Sequence, residues 1–193
     1  HHRWIAGGGG VVVEVGEHGP MLTILRTPLR KPLMGILVLA GFLQPAWAGS
    51  QTKSDPAEAR PEGLMVIWQR PVAYGTHLIG VYGVQADAKN PGLFQIKVWD
   101  ELPNDMSVIS ETIRCSPEAP MRVTSNGSNL IVRELNPGGA IHPGNRINHL
   151  VWWATCFPKQ AGKDPATLGP VARQLGYSGS LRESEQILPG RSR

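Results

Sequence analysis

The chain has 193 residues, with 19 lysines and arginines against 15 acidic residues and a formal net charge of +4. From Gly49 onward about fifteen basic residues stand against thirteen acidic ones, and the basic residues are scattered singly among the acidic ones. This distribution offers no basic patch for a phosphate backbone, so we expect no nucleic acid partner. The length suits one domain with loose ends.

Residues 21–48 have the three-part organisation of a cleavable secretory signal peptide. A short basic segment precedes an apolar run over residues 33–43, and Ala46-Trp47-Ala48 then supplies the small-x-small pattern that signal peptidase recognises. The apolar run is much shorter than the roughly twenty residues that a membrane-spanning helix needs. We therefore predict cleavage after Ala48, export to the periplasm or the extracellular space, and no membrane span after cleavage.

Two stretches beside the signal peptide are predicted to lie outside the folded domain. Residues 1–20 precede Met21 and include acidic residues that are unusual at the start of a signal peptide, so we interpret them as a non-native upstream extension. Residues 49–63 contain two prolines and no large apolar side chain, which predicts a flexible leader.

A β-rich domain is predicted over residues 64–157. Short β-prone runs follow one another, separated by turn sequences such as Arg70-Pro71 and Asn126-Gly127, and the latter is a strong hairpin signal. The runs are residues 64–68, 77–84, 94–99, 108–115, 121–124 and 130–132. Together they predict an antiparallel meander of about six strands.

Alternation within two of these runs supports strands with one buried face. Phe94, Ile96 and Val98 would point to one side and the polar residues between them to the other. In the fourth run, Glu111 is the exception on an otherwise apolar face that ends at Cys115.

The periodicity changes to that of an amphipathic helix over residues 145–156. A Pro-Gly-Asn turn ending at Asn145 would start this helix and Pro158 would stop it. A last strand is the alternative, because Val, Trp and Thr residues in this segment favour sheets. The apolar positions with helical spacing are Ile147, Leu150, Val151 and Ala154. The fold class is thus α+β, a mainly antiparallel sheet with one C-terminal helix, and residues 158–193 are predicted to be a mostly disordered tail.

Cys115 and Cys156 are the two cysteines of the chain, and an even number in an exported protein predicts a structural disulfide. A thiol nucleophile and a zinc site are the alternatives, because His149 lies seven residues before Cys156 and His142 is nearby. Neither a paired zinc-ligand spacing nor an oriented base is evident, so we expect no metal and no cofactor.

Trp152 and Trp153 are adjacent, so their side chains diverge by about 100° on a helix and about 180° on a strand. Both cannot face the same core. One of the two is therefore the candidate residue for contacting a partner.

A series of short motifs over about residues 81–156 resembles the bacterial surface-adhesin protein E family. A strand ending in Val98-Trp99 is followed by one closing on Cys115, by Met121-Arg122-Val123, by a His-Pro-Gly-Asn turn and by a last segment carrying Cys156. The resemblance implies a small antiparallel sheet with a helix, a bridge between the cysteines, and an exported protein of which some relatives bind host or surface macromolecules. The best-known adhesin is lipid-anchored, whereas no cysteine stands at this cleavage point.

The function predicted from the sequence is a secreted or periplasmic, envelope-associated binding module that is adhesin-like and not an enzyme. Its partner would be an envelope or extracellular macromolecule. The alternative is a small periplasmic hydrolase or metal-binding protein that uses His142 and His149.

Overall fold

The computed structural model describes residues 54–190, which belong to one compact unit, Gly49–Arg193. The predicted upstream extension and the signal peptide, with Ala46 and Ala48 at its cleavage site, lie outside the described residues. Among the residues that are described, no helix has both the length and the apolar character needed to cross a membrane.

The centre of the fold is one antiparallel sheet of seven strands, in which neighbours in sequence are neighbours in space. The strands are β1 (Met65–Val72), β2 (Gly75–Ala86), β3 (Leu93–Leu102), β4 (Asp105–Arg114), β5 (Met121–Asn126), β6 (Asn129–Glu134) and β7 (Ser184–Pro189). The predicted antiparallel sheet is confirmed. The prediction of about six strands missed β7, which pairs with β6 along the far edge.

The predicted alternation in β3 is confirmed. Ile96 and Val98 are buried on the face that carries the main helix, and Phe94 packs partly against the same core. Gln95 and Lys97 between them are exposed. The two-residue hairpin between β5 and β6 also forms where it was predicted.

Glu111 interrupts the apolar face of β4 because it forms a buried ion pair. Its carboxylate accepts hydrogen bonds from Nε and Nη2 of Arg122, both at 2.7 Å, and Glu111 is only 3 % exposed. The remaining terminal nitrogen of Arg122 donates to Oδ1 of Asn148 at 2.8 Å. Since Asn148 belongs to the main helix, this charged pair helps to attach the helix to the sheet.

The main helix, α1 (Arg146–Cys156), follows the predicted Pro-Gly-Asn turn and ends before Pro158. The helical interpretation is thus confirmed over the alternative of a last strand, and burial of an apolar helix face is the driving force. The buried core that α1 shares with the sheet and the later chain consists of Ile67, Ile79, Val81, Ile96, Val98, Ile113, Leu135, Leu150, Val151, Trp152, Trp153, Ala154, Leu168, Ala172 and Tyr177.

The segment after α1 is ordered up to residue 190, so the prediction of a mostly disordered tail is wrong there. It forms 3-10 helices at Pro158–Gln160 and Pro165–Thr167, then α2 (Gly169–Gln174), and finally β7. Leu168, Ala172 and Tyr177 from this segment are buried. They fold against a surface that exists only once α1 has docked, and local composition carries no sign of that surface.

Part of the predicted flexible leader also folds, on the sheet face opposite α1. A 3-10 helix covers Pro56–Ala59, and Arg60 donates two hydrogen bonds to Glu101, from Nε at 2.8 Å and from Nη2 at 2.5 Å. This contact with Arg60 lowers the pKa of Glu101 below its ordinary value. Glu101 also accepts from Nε1 of Trp99, which is 2 % exposed, so Glu101 connects the leader to a buried indole.

Candidate functional site

Cys115 and Cys156 form the predicted disulfide, with 5.6 Å between their Cα atoms. It joins the chain just after β4 to the last residue of α1. These are the chain's two cysteines, so neither sulfur is free to act as a nucleophile or as a zinc ligand. The bridge is structural, and the site has to be sought among other residues.

The sequence predicted that Trp152 or Trp153 faces outward, and this prediction is wrong. Their exposed fractions are 0 % and 1 %. The two rings pack against each other in a T-shaped pair with 5.2 Å between their centroids, and both belong to the buried core, because the later chain folds over α1. Trp152 contacts Phe157 and Tyr177, and its Nε1 donates to the carbonyl of Arg114 at 2.9 Å. Neither tryptophan can contact a partner in this fold.

His149 is fully buried on α1 and belongs to a hydrogen-bond network around Glu183. Its Nε2 lies 2.5 Å from one carboxylate oxygen of Glu183, which also accepts from the backbone N–H of Asn136 at 3.1 Å. The side-chain amide of Asn145 donates to the other oxygen at 2.9 Å. The network ties the start of α1 to the segment that precedes β7.

The surroundings of His149 disfavour its charged form. Burial lowers the pKa of His149, and the neighbouring Glu183 only partly opposes this effect. Burial of Glu183 favours its protonated form, but hydrogen bonds from Asn145, Asn136 and His149 outweigh it and keep the pKa of Glu183 below its ordinary value. The buried Nδ1 of His149 has no hydrogen-bond partner among the described residues, so a proton there would be unpaired. The favoured state is therefore Nε2–H donating to a carboxylate.

The cleft beside this network has a volume of about 250 Å³ and contains His142 but not His149. His142 is exposed, and its Nδ1 accepts from the backbone N–H of Gly144 at 3.2 Å. His142 and His149, the two histidines of the alternative function, thus do not both face the cleft and cannot act there together as bases or metal ligands. Within residues 54–190, no group of three or more His, Cys, Asp or Glu side chains is arranged to hold a metal ion.

A different set of side chains forms a compact polar and aromatic surface where β1 and β2 meet. The rings of His77 and Trp68 form a T-shaped pair with 5.0 Å between their centroids, and Nε2 of His77 lies 2.7 Å from Oδ1 of Asp100. The guanidinium carbon of Arg70 lies 5.4 Å from the centroid of Trp68. Trp68 itself packs partly against the core, which fixes the position of the other groups.

Tyr74 lies at the tip of the hairpin between β1 and β2 and is 97 % exposed. Its φ of 65° is in the left-handed region, which residues other than glycine rarely adopt. The tip is braced by the neighbouring hairpin, because Gly75 approaches Pro103 so closely that an added Cβ would lie 2.8 Å from its ring. The exposed Tyr74 therefore lies next to a residue that packs closely against the neighbouring hairpin.

We define the hairpin-end surface as Trp68, Arg70, Tyr74, His77 and Asp100. The sequence did not reveal it, because Arg70-Pro71 suggests a turn, whereas both residues lie inside β1 and the turn comes later. A signal was present in the close spacing of Trp68, Arg70 and Tyr74, since these residue types are enriched in binding hot spots.

Comparison of the chain with protein-family models, with curated proteins and with solved structures gives no match. The resemblance to the surface-adhesin protein E family therefore stays a prediction. The geometry of the described residues is the remaining basis for a functional proposal.

Proposed function

We propose that the protein is an exported, envelope-associated binding module that contacts a macromolecular partner through the hairpin-end surface. The observation that carries this proposal is Tyr74, a large aromatic residue that is 97 % exposed and has a left-handed backbone conformation. Export is supported by the signal-peptide pattern of residues 21–48 and by the disulfide, which persists in oxidising compartments.

Folding does not benefit from a tyrosine at position 74. The left-handed conformation costs about 1–2 kcal/mol for a residue with a Cβ, and a ring that is 97 % exposed recovers almost none of this through burial. Glycine would remove the cost. A partner that covers the ring provides the compensation, because burying an aromatic side chain at an interface commonly contributes about 2 kcal/mol or more.

The alternative function, a hydrolase or metal protein using His142 and His149, has no comparable support. The Nε2 of His149 is committed to Glu183, and His149 is completely buried. A general base needs a lone pair within hydrogen-bond reach of its substrate. No observation in residues 54–190 favours this function over binding.

Binding is tested with the full chain expressed behind its own leader, purified after export and immobilised. Solubilised envelope material is passed over wild type, over Tyr74→Gly and over Lys97→Gln as the control. Lys97 is a suitable control because it lies over Tyr82 at 5.8 Å on the opposite face of the sheet.

We expect a retained macromolecule that Tyr74→Gly releases and Lys97→Gln keeps. Since Tyr74→Gly should slightly stabilise the fold, its loss of binding cannot be attributed to unfolding. Equal retention by wild type and Tyr74→Gly would refute the hairpin-end surface as the binding site, and the absence of the chain from the exported fraction would refute export.

A further inference from the structure

Arg70 lies over an aromatic ring but has no carboxylate partner among residues 54–190. Its guanidinium carbon lies 5.4 Å from the centroid of Trp68, and among residues 54–190 it makes no ion pair and no side-chain hydrogen bond. A guanidinium above an aromatic face is attracted to it while its N–H donors stay available. A binding group that is already oriented loses less conformational entropy when a ligand arrives.

Other arginines of the described chain are used differently. Four of them are paired with carboxylates: Arg60 with Glu101, Arg122 with Glu111, Arg133 with Glu185, and Arg146 with Asp164. Arg114, Arg173 and Arg182 also lack a carboxylate partner, but none of them lies over an aromatic ring in residues 54–190, and Arg173 already donates to the carbonyl of Gly138 at 3.1 Å. Arg70 therefore combines a guanidinium that lies over an aromatic ring with available donors, on the strand that leads to the exposed Tyr74.

We propose that the hairpin-end surface binds a protein segment that carries one carboxylate among uncharged, apolar residues; this inference rests on the proposed binding function. The guanidinium of Arg70 receives the carboxylate, and a planar guanidinium can do so through two parallel hydrogen bonds. Trp68 and Tyr74 supply the aromatic surface for the flanking apolar side chains.

A polyanion fits this surface poorly, because Arg70 does not belong to a basic patch. Across the strand pair it faces His77, which is bonded to Asp100. The side chain of Asp100 is 43 % exposed and would repel a second negative charge close to the first. Nucleic acid binding, by contrast, depends on several cations that each neutralise a phosphate. A segment with a single acidic residue can form an ion pair with Arg70 and brings no second negative charge that Asp100 would repel.

The test uses three end-blocked peptides: Ser-Leu-Glu-Leu-Ser, the same peptide with Gln in place of Glu, and six consecutive glutamates. Each is titrated into ¹⁵N-labelled full chain, and the side-chain N–H signal of Arg70 and the backbone signal of Tyr74 are followed by NMR. We expect the Glu peptide to bind about tenfold more tightly than the Gln peptide, since the two have nearly the same shape and only the Glu side chain can form two charge-assisted hydrogen bonds with the guanidinium. Hexaglutamate should bind no better than the Glu peptide.

Arg70→Gln should reduce binding of the Glu peptide at least tenfold, whereas Lys97→Gln should leave it unchanged. Lys97 carries the same charge and also lies over an aromatic ring, so it is a matched control. Equal binding of the Glu and Gln peptides, tighter binding of hexaglutamate, or equal losses in the two variants would overturn the proposal.

The outcomes for the two proposals are separable. If envelope material is retained through Tyr74 but the Glu peptide does not bind, the proposed carboxylate-bearing ligand is refuted and the proposed binding function stands. If the Glu peptide binds through Arg70 while no envelope material is retained, the surface and its chemistry stand and the envelope partner is refuted.

Discussion

Opening the Cys115–Cys156 bridge should destabilise the domain by about 4 kcal/mol. The two cysteines are 41 residues apart. For a closed loop of this size, the loss of chain entropy in the unfolded state corresponds to about 4 kcal/mol at 25 °C. The bridge also fixes the end of α1 against the end of β4, so its loss should release the helix that covers the core.

Urea unfolding of the double variant Cys115→Ser/Cys156→Ser measures this effect. With an m-value of about 2 kcal/mol/M, a loss of about 4 kcal/mol moves the midpoint by roughly 2 M. Wild type in excess reductant is the control, because it opens the same bridge without changing any side chain. A loss below about 1 kcal/mol, or reaction of native wild type with two equivalents of a thiol reagent, would refute the reasoning.

Three further predictions concern stability. Burial lowers the pKa of His149 below its ordinary 6.5, so the unfolded chain takes up the proton at a higher pH than the folded chain does, and the free energy of unfolding should fall as the pH drops below 6.5. His149→Gln should reduce the dependence of the urea midpoint on pH between about pH 7.5 and 5.5. The same pH dependence in wild type and variant would contradict this prediction. Glu111→Ala should cost about 3–5 kcal/mol by leaving Arg122 buried without its carboxylate, whereas Glu111→Leu with Arg122→Met should be nearly neutral in the same unfolding assay. Gly127→Ala should cost about 1–2 kcal/mol, because its φ of 57° is left-handed while the space around its Cβ is open; an unchanged thermal midpoint would contradict it.

The parts of the fold that the sequence predicts are those governed by local patterns. The alternation in β3 depends only on which side chains meet the core, and the hairpin at Asn126-Gly127 depends on the left-handed conformation of Gly127. The helical spacing in α1 likewise outweighs the β-propensity of its tryptophans. In each case the information lies within about ten residues, so no knowledge of distant contacts is needed.

The missed features depend on contacts between distant parts of the chain. β7 has exposed apolar side chains at both Ile187 and Leu188, so it shows no alternation, and it is a strand because β6 offers an open edge. The burial of Trp153 could not be deduced from the angle between adjacent positions on a helix. That argument assumes that only one face of the helix is covered by the rest of the protein. The segment containing Tyr177 covers α1 again, and composition alone had suggested that this segment is disordered.

Trp68 shows how the core and the hairpin-end surface are physically connected. It packs partly against the buried cluster and also supports Arg70 and His77. Replacing Trp68 would therefore weaken the fold and the surface together, and a loss of binding could not be assigned to either. Tyr74 and Arg70 lack this double role, because the first is 97 % exposed and the second makes no ion pair within residues 54–190. Tyr74 and Arg70 are therefore the positions at which an effect on binding can be separated from an effect on folding. If Tyr74→Gly raises the stability of the fold and weakens binding, a purely structural role for Tyr74 is excluded.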